Sequence, residues 1–412
     1  MKRVFLFAMI ACLCLAAWGG AALGEAAATE EAASVSAEEL LQAGKDAYEA
    51  KDYGKALECW QQAADQGSVK ALCNLGNLYR EGSGVEQSYE KALEYWQKAA
   101  DQGDALAMCN LGGAYYNARG VEQSYEKALE YWQQAAELGN ADALVSIAYL
   151  YGHGEGVEQS FDKTMELYQQ AAELGNAQAM ANIGNMYLFG DGVEQSYEEA
   201  LAYYERASEL GNDYAQTNLA YLYFNGFGVE QSYEKAAEYW QLAADQGNAY
   251  GQANLGSLYE QGKGVEKSYE KALEYYQKAA DQDSGYGYVS LGDLYAQGKG
   301  VEQSYEKALE YFQKGVDLGN AYGYVGLGDL YAQGKGVEQS YEKALEYYQK
   351  AADQDVPEGF VSLGDLYAEG QGVTQDYEKA AEYYRKAAEL GSEEAAERLK
   401  KLAEEGHVKA EQ

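Results

Sequence analysis

The chain is poor in the residues that carry most protein chemistry. Of 412 residues, two are histidine (His153 and His407) and one is proline, Pro357. No Ser/His/Asp arrangement can be assembled without His153, and no Cys/His pair has the spacing of a zinc site. Positive charge is scarce as well: 31 Lys and Arg stand against 67 Asp and Glu, a net charge of −36. A field of that sign repels phosphate backbones and anionic lipid, which excludes nucleic acid and anionic membrane as natural partners. Acidic pairs are abundant, but they recur as helix surface instead of forming one tuned pair. No enzyme, cofactor or metal site is expected. The one long apolar run, residues 4–17, is too short to span a bilayer comfortably. It follows Met1-Lys2-Arg3 and precedes small residues, so 1–24 reads as a secretory signal peptide cleaved after Gly24, with Gly19 and Ala22 as alternative cleavage points. An exported protein of the bacterial periplasm or exterior, without membrane insertion once cleaved, is the expectation. Losing Lys2 and Arg3 leaves 29 basic against 67 acidic residues, a net −38.

What the chain has instead is repetition. The stretch GVEQSYEKALEYWQKAADQG at 84–103 returns every 36 residues, its Gly-Val opening at Gly84, Gly120, Gly156, Gly192, Gly228, Gly264, Gly300, Gly336 and Gly372. A fixed period of this length marks stacked supersecondary units, which overrides the two or three domains that length alone suggests. In order, 25–36 is a small, acidic, flexible leader. Residues 37–68 form a shorter unit without the Gly-x-Gly-Val insert, suited to cap the array. Nine full units run over 69–392, and 393–412 provides a charged terminal helix and a frayed tail.

Each unit reads as two antiparallel helices. In the first full unit, helix A covers about Val69 to Glu81, with Leu72, Leu75, Leu78 and Tyr79 on one face. Gly76 inside it recurs in most units. Glycine there costs about 1 kcal/mol against alanine, so another helix is expected to approach closely. Gly82-Ser83-Gly84 ends helix A through a left-handed turn. Ser88 caps helix B, which runs from about Tyr89 to Gln102 and buries Ala92, Trp96, Ala99 and Ala100. Glu94 and Lys98 are placed to pair at i, i+4. The Trp96 position is aromatic in every unit. Cys12 and Cys14 leave with the signal, and the three remaining cysteines allow at most one bridge. Cys73 and Cys109 share a repeat column, roughly 10 Å apart on stacked helices, beyond disulfide reach. Cys59 with Cys73 is the pair that could close, and three small buried thiols is the other reading.

The pattern A-x-x-x-x-N-L-G-x-L-Y-x-x-G-x-G-V-x-x-S-Y-x-K-A-x-x-Y-x-x-x-A-A-x-x-G, from about 37 to 403, resembles the Sel-one-like repeat (SLR) family, relatives of tetratricopeptide repeats. The resemblance implies an all-α fold, an α/α solenoid coiled as a right-handed superhelix, that serves as a protein-interaction scaffold and is often exported in bacteria. Some exported relatives carry a disulfide in each repeat. This chain lacks those cysteines, so neither that bracing nor the weak penicillin binding suggested for those relatives carries over.

Where the repeats differ, the variation collects on one face of helix A, which the resemblance places on the concave side. Asn74, Asn110, Asn182, Asn218 and Asn254 match a column in which tetratricopeptide relatives hold a peptide backbone, since an amide both donates and accepts. The alternative is that they bond their own helical turn. Tyr214, Tyr250, Tyr286 and Tyr322, with Tyr221, make a ladder of rigid amphipathic rings; packing between neighbouring A helices is its other reading. Asp293, Asp329 and Asp365 add a negative stripe. Together these residues suit a protein or peptide, a basic one by charge. A C-terminal carboxylate is disfavoured, because only Lys70 supplies a cation and Asp142 stands two units on. A glycan or cell-wall-fragment binder and a passive spacer or self-assembling scaffold are the rival readings, and a weak hydrolase is the enzyme-class rival.

Overall fold

The structure is a computed structural model that describes residues 35–408. The expected signal segment, nearly all of the leader, and residues 409–412 of the tail lie outside it. Among the described residues there are 21 helices and no strand, the first being Ala37–Glu49 and the last Glu393–Glu404. The protein is an all-α solenoid of helix pairs. It divides into two compact units, Met1–Gln102 and Gly103–Gln412. The first holds the helices Ala37–Glu49, Tyr53–Asp65, Val69–Glu81 and Tyr89–Ala100. The second holds the remaining seventeen, from Ala105–Tyr116 onward. Within each unit a helix packs mainly on its neighbours in sequence, as expected of a quasi-one-dimensional array. No helix among the described residues is long and apolar enough to cross a membrane.

Local chemistry sets the helix ends. The Ser88 hydroxyl accepts from the Lys91 N–H at 3.2 Å, and the same serine recurs at Ser124, Ser160, Ser196, Ser232, Ser268, Ser304 and Ser340. Gly82 closes helix A at φ 74°, where an L side chain would be strained. Helix B of that repeat stops at Ala100, two residues short of the expected Gln102. The register slips once: Asn320 Oδ1 accepts from the Tyr322 N–H at 3.1 Å, and helix A there spans Tyr322–Gln333, one residue later than its counterparts. His153 is the last residue of helix Ala141–His153, not a turn residue, and stacks on Tyr149 with centroids 3.9 Å apart. His407 likewise stacks on Tyr377 at 3.8 Å and Val408 is buried, so the start of the expected frayed tail is packed down.

The core is built from the aromatic column and its alanines. Ala92, Trp96, Ala99 and Ala100 are all buried, and the counterparts of the first three are buried down the array. Another helix does approach the Gly76 column closely, through the aromatic ring of helix B in the same repeat: a Cβ added at Gly184 would sit 2.6 Å from Tyr204 Cε1, and one at Gly112 would sit 2.5 Å from Trp132 Nε1. Close packing of a flat ring onto bare backbone offsets the glycine's helix penalty. Cys59, Cys73 and Cys109 are thiols, and burial pushes the Cys109 thiol up to about 11.

Many of the tyrosines serve a second repeated device. Tyr79 of helix A stacks on Tyr95 of helix B at 5.6 Å, and Lys91 Nζ lies 4.9 Å above the Tyr79 ring. The lysine returns over Tyr115, Tyr151, Tyr223, Tyr259, Tyr295, Tyr331 and Tyr367. Lys98 lies over Tyr95 at 5.4 Å and does not make the expected pair with Glu94, although the same spacing gives Lys278–Glu274 at 2.6 Å and Lys314–Glu310 at 2.8 Å. One repeat breaks the clamp, since Glu199 stands where the lysine belongs and its charge bears on Tyr187. Glu199→Lys is therefore expected to stabilise the second unit by about 0.5–1 kcal/mol, the ordinary size of an exposed cation–π contact. Urea denaturation read by circular dichroism checks this, with Glu199→Gln separating removal of the acid from gain of the cation.

Candidate functional site

The variable face of helix A carries all the residues singled out above, and the structure distributes them among three settings. Asn74 is half-buried in the first unit. In the second unit Asn110 and Asn182 are also half-buried, and Asn182 Oδ1 accepts from Gln178 at 2.9 Å. Tyr214 is tied down by a hydrogen bond from its hydroxyl to Asn185 Oδ1 at 3.2 Å. These four are not gathered into one cavity.

Asn218, Tyr221, Tyr250 and Asn254 do converge. With Phe224 and Trp240 they line a cavity of about 330 Å³ between consecutive repeats. Asn254 bonds its own turn, Nδ2 donating to the Tyr250 carbonyl at 2.9 Å. Asn218 does not: its Nδ2 is buried and has no partner. Neither has Trp240 Nε1, although this side chain is 4% exposed. At two other column positions the indole N–H is satisfied, Trp132 donating to the Cys109 carbonyl at 3.0 Å and Trp60 to the Leu41 carbonyl at 3.2 Å. Both rings lie on a glycine, Gly112 and Gly44. In the repeat of Trp240 the position of that glycine is Ala220, buried in the same cluster as the ring. Trp96 Nε1 also lacks a partner although it faces Gly76. Tyr250 stands at the cavity 75% exposed, the most exposed large side chain on this face.

The second cluster gathers Tyr286, Asp293, Tyr322 and Asp329. Glu260 and Glu358 join them in lining a cavity of about 620 Å³. Its electrostatics follow from one substitution in the core. In three other repeats the aromatic column supplies a hydroxyl to the residue nineteen positions earlier: Tyr204 to Asn185, Tyr348 to Asp329 and Tyr384 to Asp365, each at 2.6 Å. At Asp293 the column residue is Phe312, which has no hydroxyl, and Asp293 accepts no hydrogen bond. Burial, then the charges of Glu260 and Asp329, push its carboxyl up to about 7. Burial raises Asp329 as well, less so because the Tyr348 hydroxyl favours its charged form. Lys299 Nζ stands 3.8 Å from Glu260 Oε1 at the rim. Among the described residues no group of three or more His, Cys, Asp or Glu side chains is placed to hold a metal ion.

Sequence reasoning singled out eight of the residues lining these two cavities, but gave no site role to Trp240, Glu260 or Glu358, nor to Phe312 of the core. The signal for Phe312 was present, as a column position that is Tyr in both following repeats. Its link to Asp293 depends on where the turn between the helices brings the chain back.

The Sel1 repeat family model matches this chain ten times, at residues 33–68, 69–104, 105–140, 141–176, 177–212, 213–248, 249–284, 286–320, 321–356 and 361–392. Among solved structures, the chain is similar to c5321, a protective antigen present in uropathogenic Escherichia coli strains displaying an SLR fold. The two are 33% identical over 90% of this chain and 81% of that one, with a TM-score of 0.64. A Sel1 repeat protein from Oxalobacter formigenes is 31% identical over 58% of this chain and 96% of its own, with a TM-score of 0.50. No curated protein matches.

Proposed function

Because the chain belongs to the Sel1 repeat family, whose repeats form scaffolds suited to protein–protein interaction, we propose that it is an exported, non-catalytic scaffold holding an extended segment of a partner protein along the helix A face. Export rests on the basic, apolar and small-residue order of 1–24. The observation that carries the binding reading is the pair of buried donors without partners, Asn218 Nδ2 and Trp240 Nε1, in two side chains that line one cavity beside Tyr250. A buried donor left unsatisfied costs about 1–3 kcal/mol, and an acceptor from a bound chain, such as a backbone carbonyl, removes that penalty. The exposed rings of Tyr250, Tyr286 and Tyr322 supply contact area with little side-chain entropy to lose.

The test is affinity capture with the chain from Glu25 as bait against extract of the exporting cell. It is run beside Asn218→Leu and Tyr250→Ala baits whose helicity is checked by circular dichroism. Asn218→Leu keeps size and removes the amide, and is expected to weaken a groove-held partner about tenfold, the worth of one hydrogen bond to a buried donor. Equal capture by all baits moves the partner off this face. No specific capture by any bait favours a passive spacer. An exposed tyrosine beside amide donors also suits a saccharide, so cell-wall glycan fragments form a parallel arm. Saturation of their ring protons from Tyr250, lost in Tyr250→Ala, would replace the peptide by a glycan.

A further inference from the structure

Asp293 is the one member of its stripe that is left without a donor, and the reason lies in the core. Asp329 and Asp365 each hold a tyrosine hydroxyl from the aromatic column, whereas Phe312 offers Asp293 only ring carbons. The space in front of that carboxylate is a cavity of about 620 Å³, within the range of ligand sites and larger than one side chain. Two tyrosine rings from successive repeats, Tyr286 and Tyr322, wall it, and both are exposed. Tyr286 is held edge-on against Tyr276 with centroids 6.3 Å apart. Glu260, Asp329 and Glu358 complete an acidic lining.

We propose that this cavity receives an arginine side chain of the partner segment, its guanidinium pairing with the Asp293 carboxylate between the Tyr286 and Tyr322 rings. The assignment rests on the peptide-binding reading above and names the residue the partner must present. A guanidinium suits the site better than an ammonium on three counts. Its planar fork can engage a carboxylate with two parallel N–H bonds. It is weakly hydrated, and it stacks on aromatic faces. The donor that Phe312 fails to supply would come from the ligand.

Binding must ionise Asp293, so affinity depends on pH. The groups facing it are Glu260 from the preceding repeat, with Lys299 at the rim, Tyr276 and Tyr286 beside it, and Tyr322, Asp329 and Glu358 from the two helices that follow. Burial raises Tyr276 and Tyr322 further above neutrality. Asp293 is thus the group that changes charge near neutrality, with its carboxyl pushed up to about 7.

The probe is the blocked peptide acetyl-Gly-Ala-Arg-Ala-Gly-amide, titrated calorimetrically into the full chain, beside the same peptide with lysine or citrulline at the centre. For wild type the arginine peptide is expected to bind, and to weaken about tenfold between about pH 8 and about pH 6 as the ionised fraction of Asp293 falls. Asp293→Asn is expected to weaken binding at least about tenfold at the higher pH and to remove the pH dependence. Phe312→Tyr, which offers Asp293 the internal hydroxyl its neighbours have, should weaken binding in a fully folded protein. Citrulline matching arginine, or Asp293→Asn keeping both affinity and pH dependence, overturns the proposal. Lysine matching arginine overturns the guanidinium assignment. The arginine site can fail without the broader reading: a partner lost by Asn218→Leu but kept by Asp293→Asn leaves peptide binding standing and removes only the arginine site.

Discussion

Gly228→Ala is expected to lower the unfolding free energy of the second unit by about 2–6 kcal/mol. Gly228 is the glycine of the recurring Gly-Val and has φ +67°. Its loop presses on the start of helix B in the repeat before it: an added Cβ would meet the Tyr197 carbonyl carbon at 2.7 Å and the Glu198 nitrogen at 2.8 Å. Both are backbone atoms of a capped helix, so neither yields as a side-chain tip would. Two penalties combine, about 1–3 kcal/mol for a left-handed alanine and about 1–3 kcal/mol for overpacking the seam. Gly247→Ala separates them. Its φ is +90°, and nothing lies within 4 Å of its added Cβ, so it carries the backbone strain alone. Guanidinium denaturation at the helical circular dichroism band should place Gly228→Ala well below Gly247→Ala. Because a stacked array is held by nearest-neighbour interfaces, a weakened seam should also broaden the transition. Equal losses for the two variants would show that the seam is soft.

Asp293→Asn is expected to stabilise the protein at about pH 8 and to lose that advantage at about pH 4. The sign follows from the raised carboxyl. Its ordinary value is 3.8 and its folded value about 7, so between these the folded state binds a proton that the unfolded state has released. Stability contributed by the protonated acid is present in full below about pH 4 and falls as pH rises toward about 7. At about pH 8 wild type carries the whole penalty of a half-buried charge without a hydrogen bond. Three units correspond to no more than about 4 kcal/mol, and partial solvent access reduces the expectation to about 2 kcal/mol. Thermal melts across this pH range should converge at the acid end and separate toward the alkaline end. Parallel curves would mean Asp293 titrates as an ordinary surface acid. Stability gained while arginine binding is lost would also distinguish a functional group from a structural one, since unfolding cannot produce both.

Much of this was legible in the sequence because the period repeats every local decision. Ser88 as a cap, Gly82 as a left-handed stop and the buried stripe of Ala92, Trp96 and Ala99 are short-range choices, and they stand as read. Less legible were contacts that depend on how the turn brings helix B back over helix A. Gly76 asked for a close neighbour, but a ring from Trp96 and a backbone from another helix satisfy that demand equally at the level of sequence. The lysine clamp on Tyr79 joins residues twelve apart, and the missing hydroxyl at Asp293 is visible only once residues nineteen apart are known to touch. The asparagine column was read as uniform. It is not: Asn254 bonds its own turn, Asn182 bonds a side chain, and Asn218 Nδ2 bonds nothing, because each answers to a different neighbour.

Two irregularities in the core of the second unit, Trp240 beside Ala220 and Phe312 over Gly292, stand two repeats apart. In a perfectly uniform array a bound chain could shift by one repeat and find the same contacts, so several alignments would be degenerate. The mixture would gain entropy, about 1.4 kcal/mol for ten equivalent alignments, but no defined end-to-end position. An unsatisfied indole at one step and an unsatisfied carboxylate two steps further lift that degeneracy. They act as fiducial marks on an otherwise translationally symmetric track, one asking for an acceptor and the other for a cation, so that a ligand carrying both at the right separation can be held in one alignment only.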